Sequence, residues 1–305
     1  MTSTKRGYLS GIAAYLCWGL FPLYWGLLRP ATSLEMLAHR VVWSLVFLVG
    51  VIAIVRGWRQ FRAIVRPRTL ALLALAAVLV AGNWATYIYG VIAGRVVETS
   101  LGYFITPLVT VLLGVVLLGE RLRVAQWIAV GVGAAAVAVL TVDYGHIPVL
   151  ALILAATFSV YGLVKKRVAV PATQGLALET LLLMVPAAGY LITLSAAGTS
   201  TFGHVSVGHT VLLILTGPIT AIPLLAFASA ANQIPLSAIG LLQYIAPILQ
   251  LGCGVLILGE PMPPARLAGF GLVWMALAIF TWDGLRRLRA ASRAAATPAQ
   301  ATASA

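Results

Sequence analysis

Apolar residues run along this chain in long blocks separated by short polar or turn-forming breaks, without the two-residue alternation of a half-buried strand. Stretches such as 108–118 and 129–142 are continuously apolar, whereas a barrel strand would alternate over roughly ten residues. A block of about 20 apolar residues is long enough to cross the hydrocarbon core as a helix. Helix is also the form that satisfies every backbone group where lipid offers no water. The pattern predicts ten spans, near 8–28, 35–55, 70–92, 98–118, 124–142, 147–164, 175–196, 209–231, 235–258 and 265–283. Between the eighth and ninth only Asn232, Gln233 and Pro235 signal a turn. The first block follows Lys5-Arg6 in the manner of a signal peptide. It runs on to Leu28, carries Trp18, Pro22, Tyr24 and Trp25, and lacks a clear small-residue cleavage site, so it reads as the first span.

The fourth and ninth spans resemble each other. Leu101–Glu120 laid over Leu241–Glu260, at an offset of 140, gives eight identities in twenty without a gap. Pro107 falls on Pro247, and the closing Gly119-Glu120 on Gly259-Glu260. Two segments five spans apart cross the membrane in opposite directions, so the pattern predicts an inverted repeat. The units are residues 1–143 and 144–285, followed by a basic cytoplasmic tail, 286–305, rich in Ala and Thr, without periodicity and expected to be disordered. Halves related in this way can rock about a shared midplane site, the architecture of many secondary transporters.

Composition agrees with the pattern. Hydrophobic residues make up 61% of the chain and charged residues 9%, with a mean hydropathy of +1.02, against about 25% charged in ordinary soluble domains. The net charge of +13 does not mark a nucleic-acid binder, because the basic residues cluster between apolar blocks. Lys5, Arg6, Arg56, Arg59, Arg62, Arg66, Arg68, Arg121, Arg123, Lys165, Lys166, Arg167 and four Arg after 285 fall on one side of the ten-span scheme. They are 16 of the 20 Lys and Arg, which predicts both termini in the cytoplasm. Cys17 and Cys253 lie inside spans and predict neither a disulfide nor a zinc site.

Several strings then become informative in combination. They are E-x-x-x-H-R-V-V-W-S at Glu35–Ser44, G-N-W at Gly82–Trp84 and E-T-S-L-G-Y-F-I-x-P-L at Glu98–Leu108. L-G-E-R at Leu118–Arg121, Q-W at Gln126-Trp127, Y-G-L-V-K-K at Tyr161–Lys166 and Q-Y-I-x-P at Gln243–Pro247 continue the series. In this order and over nearly the whole chain the sequence resembles the RarD branch of the EamA, or drug/metabolite transporter, superfamily. Thr106 before Pro107 is a mild departure. The resemblance implies a ten-helix permease of the bacterial cytoplasmic membrane, with a central cavity between its halves.

Ionisable groups inside a span cost about 2.5–3.5 kcal/mol on insertion scales and normally face a cavity or a partner. His39 and Arg40 lie near the outer end of the second span, and Glu98 opens the fourth from the same side, which predicts an Arg40–Glu98 ion pair in an outer gate. Glu179 stands 140 residues from His39, at the inner end of the seventh span, with Lys165 and Lys166 as charge partners. The two clusters are expected to form and break alternately during transport. His39 is the candidate proton site of a proton-coupled carrier. His146, His204 and His209 are expected to be solvated, and no metal site is predicted.

Asn83, Trp84 and Tyr87 near the middle of the third span are expected to line a substrate cavity, joined by Tyr103, Thr106, Gln243, Tyr244 and Gln250. Aromatic walls with a few amides suit a moderately apolar or amino-acid-like solute. Pro107 and Pro247 are the expected hinges, since proline removes a backbone hydrogen bond. Gly131, Gly133, Gly252, Gly254, Gly269 and Gly271 are expected at close helix contacts. The chain has no G-x-S-x-G, H-E-x-x-H or P-loop, and its seven Asp and Glu sit mostly at span ends, so neither catalytic residues nor a cofactor are predicted. The expected partners are a small-molecule solute, the lipid bilayer and protons.

Overall fold

The computed structural model describes residues 3–301 apart from Glu120, Ala169 and Asn232, with the backbone alone at Ser3, Leu118, Leu236, Ser237 and 287–301. In chain order the helices are α1 (Ser3–Leu27), α2 (Ser33–Ile54), α3 (Trp58–Ile64), α4 (Pro67–Ile92), α5 (Val96–Leu118) and α6 (Val124–Tyr144). There follow α7 (Val149–Val168), α8 (Ala172–Ala196), α9 (Val207–Ala231), α10 (Leu236–Leu242), α11 (Ile245–Gly252) and α12 (Pro264–Ala301), with a π turn at Cys253–Ile257 after α11. Among the described residues nine helical stretches are long and apolar enough to cross a membrane. The tenth expected span, α1, has the length but is diluted by Trp18, Pro22, Tyr24 and Trp25.

Local chemistry sets the helix ends. The Thr32 side chain accepts the Glu35 N–H and caps α2. Pro67 occupies the first turn of α4, where its missing N–H has no intrahelical partner to lose. Gly119, at φ +66°, closes α5 in the left-handed conformation that costs glycine nothing. Outward-facing Ile54, Val116, Val142, Val185 and Leu256 are all strongly exposed, a surface suited to lipid and not to water.

The packing is two-fold. When the first half (α1–α6) is matched to the second (α7–α12), α1 on α9 has its mate in α7 on α4, and α1 on α11 in α7 on α5. The pairs α2–α8, α6–α12 and α5–α11 are their own mates. Two ion pairs repeat the relation at opposite ends of α6–α12: Arg123 meets Asp283 at 2.5 Å, and Arg266 meets Asp143 at 2.8 Å. Asp143 and Asp283 stand at the same offset of 140 as the two prolines, so the repeat extends beyond the segments whose sequences resemble each other.

Close crossings use glycine where backbone meets backbone. A Cβ at Gly217 of α9 would lie 2.3 Å from the Trp43 carbonyl of α2, and one at Gly102 of α5 would lie 2.8 Å from the Ala151 oxygen of α7. Gly133, Gly254 and Gly269 are also in contact. Gly131, Gly252 and Gly271 have nothing within 4 Å, which corrects the expectation for those three, because each faces away from the neighbouring helix.

Three features depart from ten plain spans. A short helix, α3, with Trp58 and Phe61 between Arg59 and Arg62, fills what read as a loop. The ninth span is broken at Gln243-Tyr244. Proline at 247 cannot donate to the carbonyl four residues back, at Gln243, and its ring crowds that oxygen, so the break falls where the lost bond would be. Pro107 has the same relation to Tyr103, yet α5 passes through it without interruption. Finally, α12 carries helix on as far as Ala301, which corrects the expected disorder for 286–301, where the Ala-rich sequence favours helix, while 302–305 and the repeat's Glu120 lie outside the described residues.

Candidate functional site

The bundle has a face that carries the termini and a far face with the α1–α2, α4–α5, α6–α7, α8–α9 and α11–α12 connections. Arg40 lies seven residues into α2, about 10 Å below the far face at ~1.5 Å per residue, and is 4% exposed. Its guanidinium carbon stands 3.8 Å over the Trp84 ring of α4, with the rings of Trp25 and Phe21 from α1 at 5.2 and 5.8 Å. Tyr87 and Tyr103 lie within reach of its charge and meet each other edge-on at 5.7 Å. A cation over an aromatic face gains about 0.5–2 kcal/mol per well-placed ring. One close ring and two at the margin therefore offset much of the cost of placing Arg40 in the span.

The Arg40–Glu98 ion pair is not formed, which corrects the sequence expectation. Glu98 is held instead by Arg95, Nη2 to Oε2 at 2.5 Å, and accepts the Leu150 N–H at the start of α7. Arg95 is three residues away on the same turn, and a helix N-terminus offers free N–H donors that a carboxylate can satisfy. Arg40 lies deeper than Glu98 and does not reach it.

His39 is buried, stacks on Phe202 at 4.8 Å, and accepts the Trp43 indole N–H at Nδ1. His209, expected to be solvated, is buried and donates from Nε2 to the Leu28 carbonyl at 2.9 Å. The α1–α2 turn folds over it and supplies that acceptor. His146 and His204 are exposed, and no metal-binding cluster occurs among the described residues.

The residues expected to line a cavity divide into two groups. Asn83 donates to the Leu154 carbonyl and to Thr157 Oγ1, both at 3.0 Å, and accepts from the Tyr103 hydroxyl. It joins α4, α5 and α7 with its amide fully engaged, while Trp84, Tyr87 and Tyr103 face Arg40. Thr106 bonds back to Gly102, and its carbonyl accepts from Ser159, part of a polar seam between α5 and α7. Gln250 donates to the Trp18 carbonyl of α1 at 3.1 Å. Gln243 and Tyr244 do not join this centre, which corrects the expectation for them. They line a groove of about 170 Å³ with Gln126 and Asp283 toward the terminus face. Positions 243 and 250 share a face on an unbroken helix, and the break ahead of Pro247 turns them apart.

On the opposite half Lys165 donates to Glu179 at 2.6 Å, and the Tyr161 hydroxyl donates to the other carboxylate oxygen at 3.2 Å. Glu179 is fully buried. The far face is held by carboxylates that sequence reasoning did not assign. Glu35 accepts the Thr201 N–H at 2.7 Å, and Glu260 accepts the Val96 and Val97 N–H groups at 2.5 and 2.8 Å. Burial pushes the Glu260 carboxyl up from its ordinary value against the pull of those two donors and Arg266. Both contacts cross between the halves. The signal for Glu260 was present, since a Gly-Glu pair closing a span lies beside whatever helix starts there.

Bundles of two inverted halves are the architecture of many secondary transporters. Residues 5–142 match the family described as EamA-like transporter family. The chain is 51% identical to Protein RarD of Streptomyces exfoliatus, over 98% of this chain and 96% of that one. It is 42% identical to a protein of Bacillus subtilis named uncharacterized transporter YojE, over 94% and 97%. The chain belongs to the RarD branch of the EamA family in the drug/metabolite transporter superfamily. A solved crystal structure 20% identical superposes with a TM-score of 0.59 over 90% of this chain and 96% of that one, which speaks to the fold alone.

Proposed function

We propose that this protein is a secondary-active permease that moves small organic solutes across the bacterial cytoplasmic membrane by alternating access, without chemical change to the solute. The observation that carries the reading is the inverted pairing itself, in which Arg123–Asp283 at one end of the α6–α12 pair is answered by Arg266–Asp143 at the other. Two equivalent halves give two equivalent ways of closing, one for each side. With the basic loops inside, the terminus face is cytoplasmic and the far face external. In this conformation the far face is tied across the halves by Glu35–Thr201 and Glu260–Val96/Val97. The gate on that side is therefore made by carboxylates on backbone donors; nearer the cytoplasm the halves are tied by Gln174, which donates to Gln60 at 3.0 Å, while Lys165–Glu179 braces α7 to α8 within the second half.

His39 is the proposed coupling site. As an acceptor for Trp43 it is neutral at Nδ1, and a proton there sets two donors against each other, so protonation releases Trp43. Purified protein in proteoliposomes, screened with metabolites and drugs under an imposed pH gradient, tests the reading. Solute accumulation driven by the gradient in wild type, and its collapse to passive exchange in His39→Gln, is the expected result. Gradient-driven accumulation that survives in His39→Gln removes the coupling role, and no solute flux above empty liposomes across the screen removes the carrier.

A further inference from the structure

The carboxylates of the described residues are already committed. Glu35 holds the α8–α9 loop, Glu98 holds Arg95, Asp143 holds Arg266, Glu179 holds Lys165, Glu260 caps α5 and Asp283 holds Arg123. Of the seven acidic residues only Glu120 lies outside the described set, beyond the end of α5 at Leu118. That point is about 22 Å along the helix from the Tyr103 beside Arg40, at ~1.5 Å per residue. Arg40 thus sits in the span as a cation with no anion among the described residues.

Its surroundings supply further unused hydrogen-bonding groups. Arg40 Nε, Trp25 Nε1, the Tyr87 hydroxyl and Ser44 Oγ, one turn along α2, are all buried and have no hydrogen-bond partner. Their residues are 4%, 0%, 3% and 0% exposed. Buried polar groups are almost always paired, so each unpaired one calls for an explanation. Four together, all able to donate and one of them charged, ask for an acceptor that carries negative charge. Trp84, Trp25 and Phe21 around the guanidinium are apolar walls, which an inorganic ion would leave unused. A planar guanidinium also matches the two oxygens of a carboxylate.

We propose that Arg40, with Trp25, Ser44 and Tyr87, is the anion subsite of the carrier, and that its solute is an organic carboxylate whose apolar body packs on the surrounding aromatic rings. The inference rests on the carrier reading and names its substrate class. The solute enters when the halves rock apart, neutralises Arg40, and gives the guanidinium the partner that the chain itself withholds. Occupancy then favours closure over the bound anion, which couples recognition to the conformational change.

The test is binding in detergent, kept separate from transport. Butyrate and phenylacetate are compared with butyramide and phenylacetamide, which keep shape and remove charge, and with chloride. Ligand that binds only the folded state raises the unfolding temperature. At least one carboxylate is expected to raise the temperature of wild type and to bind at least tenfold more tightly than its amide. Arg40→Gln abolishes that preference, Arg40→Lys keeps a weakened one because ammonium lacks the planar fork, and Tyr87→Phe reduces it several-fold while preserving the packing. Should Arg40→Gln fail to fold, Tyr87→Phe decides. Equal or absent binding of each carboxylate and its amide, an effect matched by chloride, or a preference untouched by Tyr87→Phe and Arg40→Gln overturns the proposal. Loss of flux with the preference intact strikes the carrier reading alone, and flux without the preference strikes the subsite alone.

Discussion

Negative charge is scarce enough in this chain that each described carboxylate has a traceable partner. Lys165→Met leaves the fully buried Glu179 carboxylate with only the Tyr161 hydroxyl and is expected to cost about 3–5 kcal/mol, the usual penalty for stranding a buried charge. Replacing both, as Lys165→Met with Glu179→Met, removes the stranded charge and recovers most of the loss. Thermal unfolding in detergent reads both, and a double variant as unstable as Lys165→Met alone contradicts the pairing. The same scarcity made Lys165 and Glu179 legible in the sequence, because few partners existed for either. It misled for Arg40 and Glu98, because Glu98 is satisfied by a neighbour three residues away and by a backbone N–H of α7, and the latter leaves no mark in the sequence. His209 escaped for a similar reason: its acceptor is the Leu28 carbonyl, which any residue at that position would supply.

Helices were readable as blocks, and their departures from regularity only in part. Pro107 and Pro247 look equivalent in sequence, yet only Pro247 accompanies a break. Pro247→Ala is expected to restore the bond to the Gln243 carbonyl and slow hydrogen exchange over 243–248 by at least tenfold, with slower solute flux if the break is a hinge. Unchanged exchange there assigns the break to packing and not to the proline. Close crossings are a second property of elements that composition hides. Gly217→Ala places a methyl group against the Trp43 carbonyl and is expected to destabilise the α2–α9 contact by about 1–3 kcal/mol, whereas Gly131→Ala, with open space around it, is expected to have little effect. Equal unfolding temperatures for the two variants contradict this account of the crossing.

At the scale of the molecule, the two-fold relation was visible in twenty residues of each half, because a proline and a Gly-Glu pair stand out against apolar sequence. The rest of it, in the helix pairings and the Asp143 and Asp283 clasps, is a property of contacts between distant segments. The central claim is that the halves separate and rejoin at the far face as solute passes. With Cys17 and Cys253 replaced, cysteines at positions 35 and 201, which meet across the halves through a 2.7 Å hydrogen bond, are joined by a short reducible linker, and solute flux is measured before and after reduction. Alternating access predicts that the linked protein stops transporting and recovers on reduction to the rate of the two single-cysteine variants; full flux through quantitatively linked protein contradicts it.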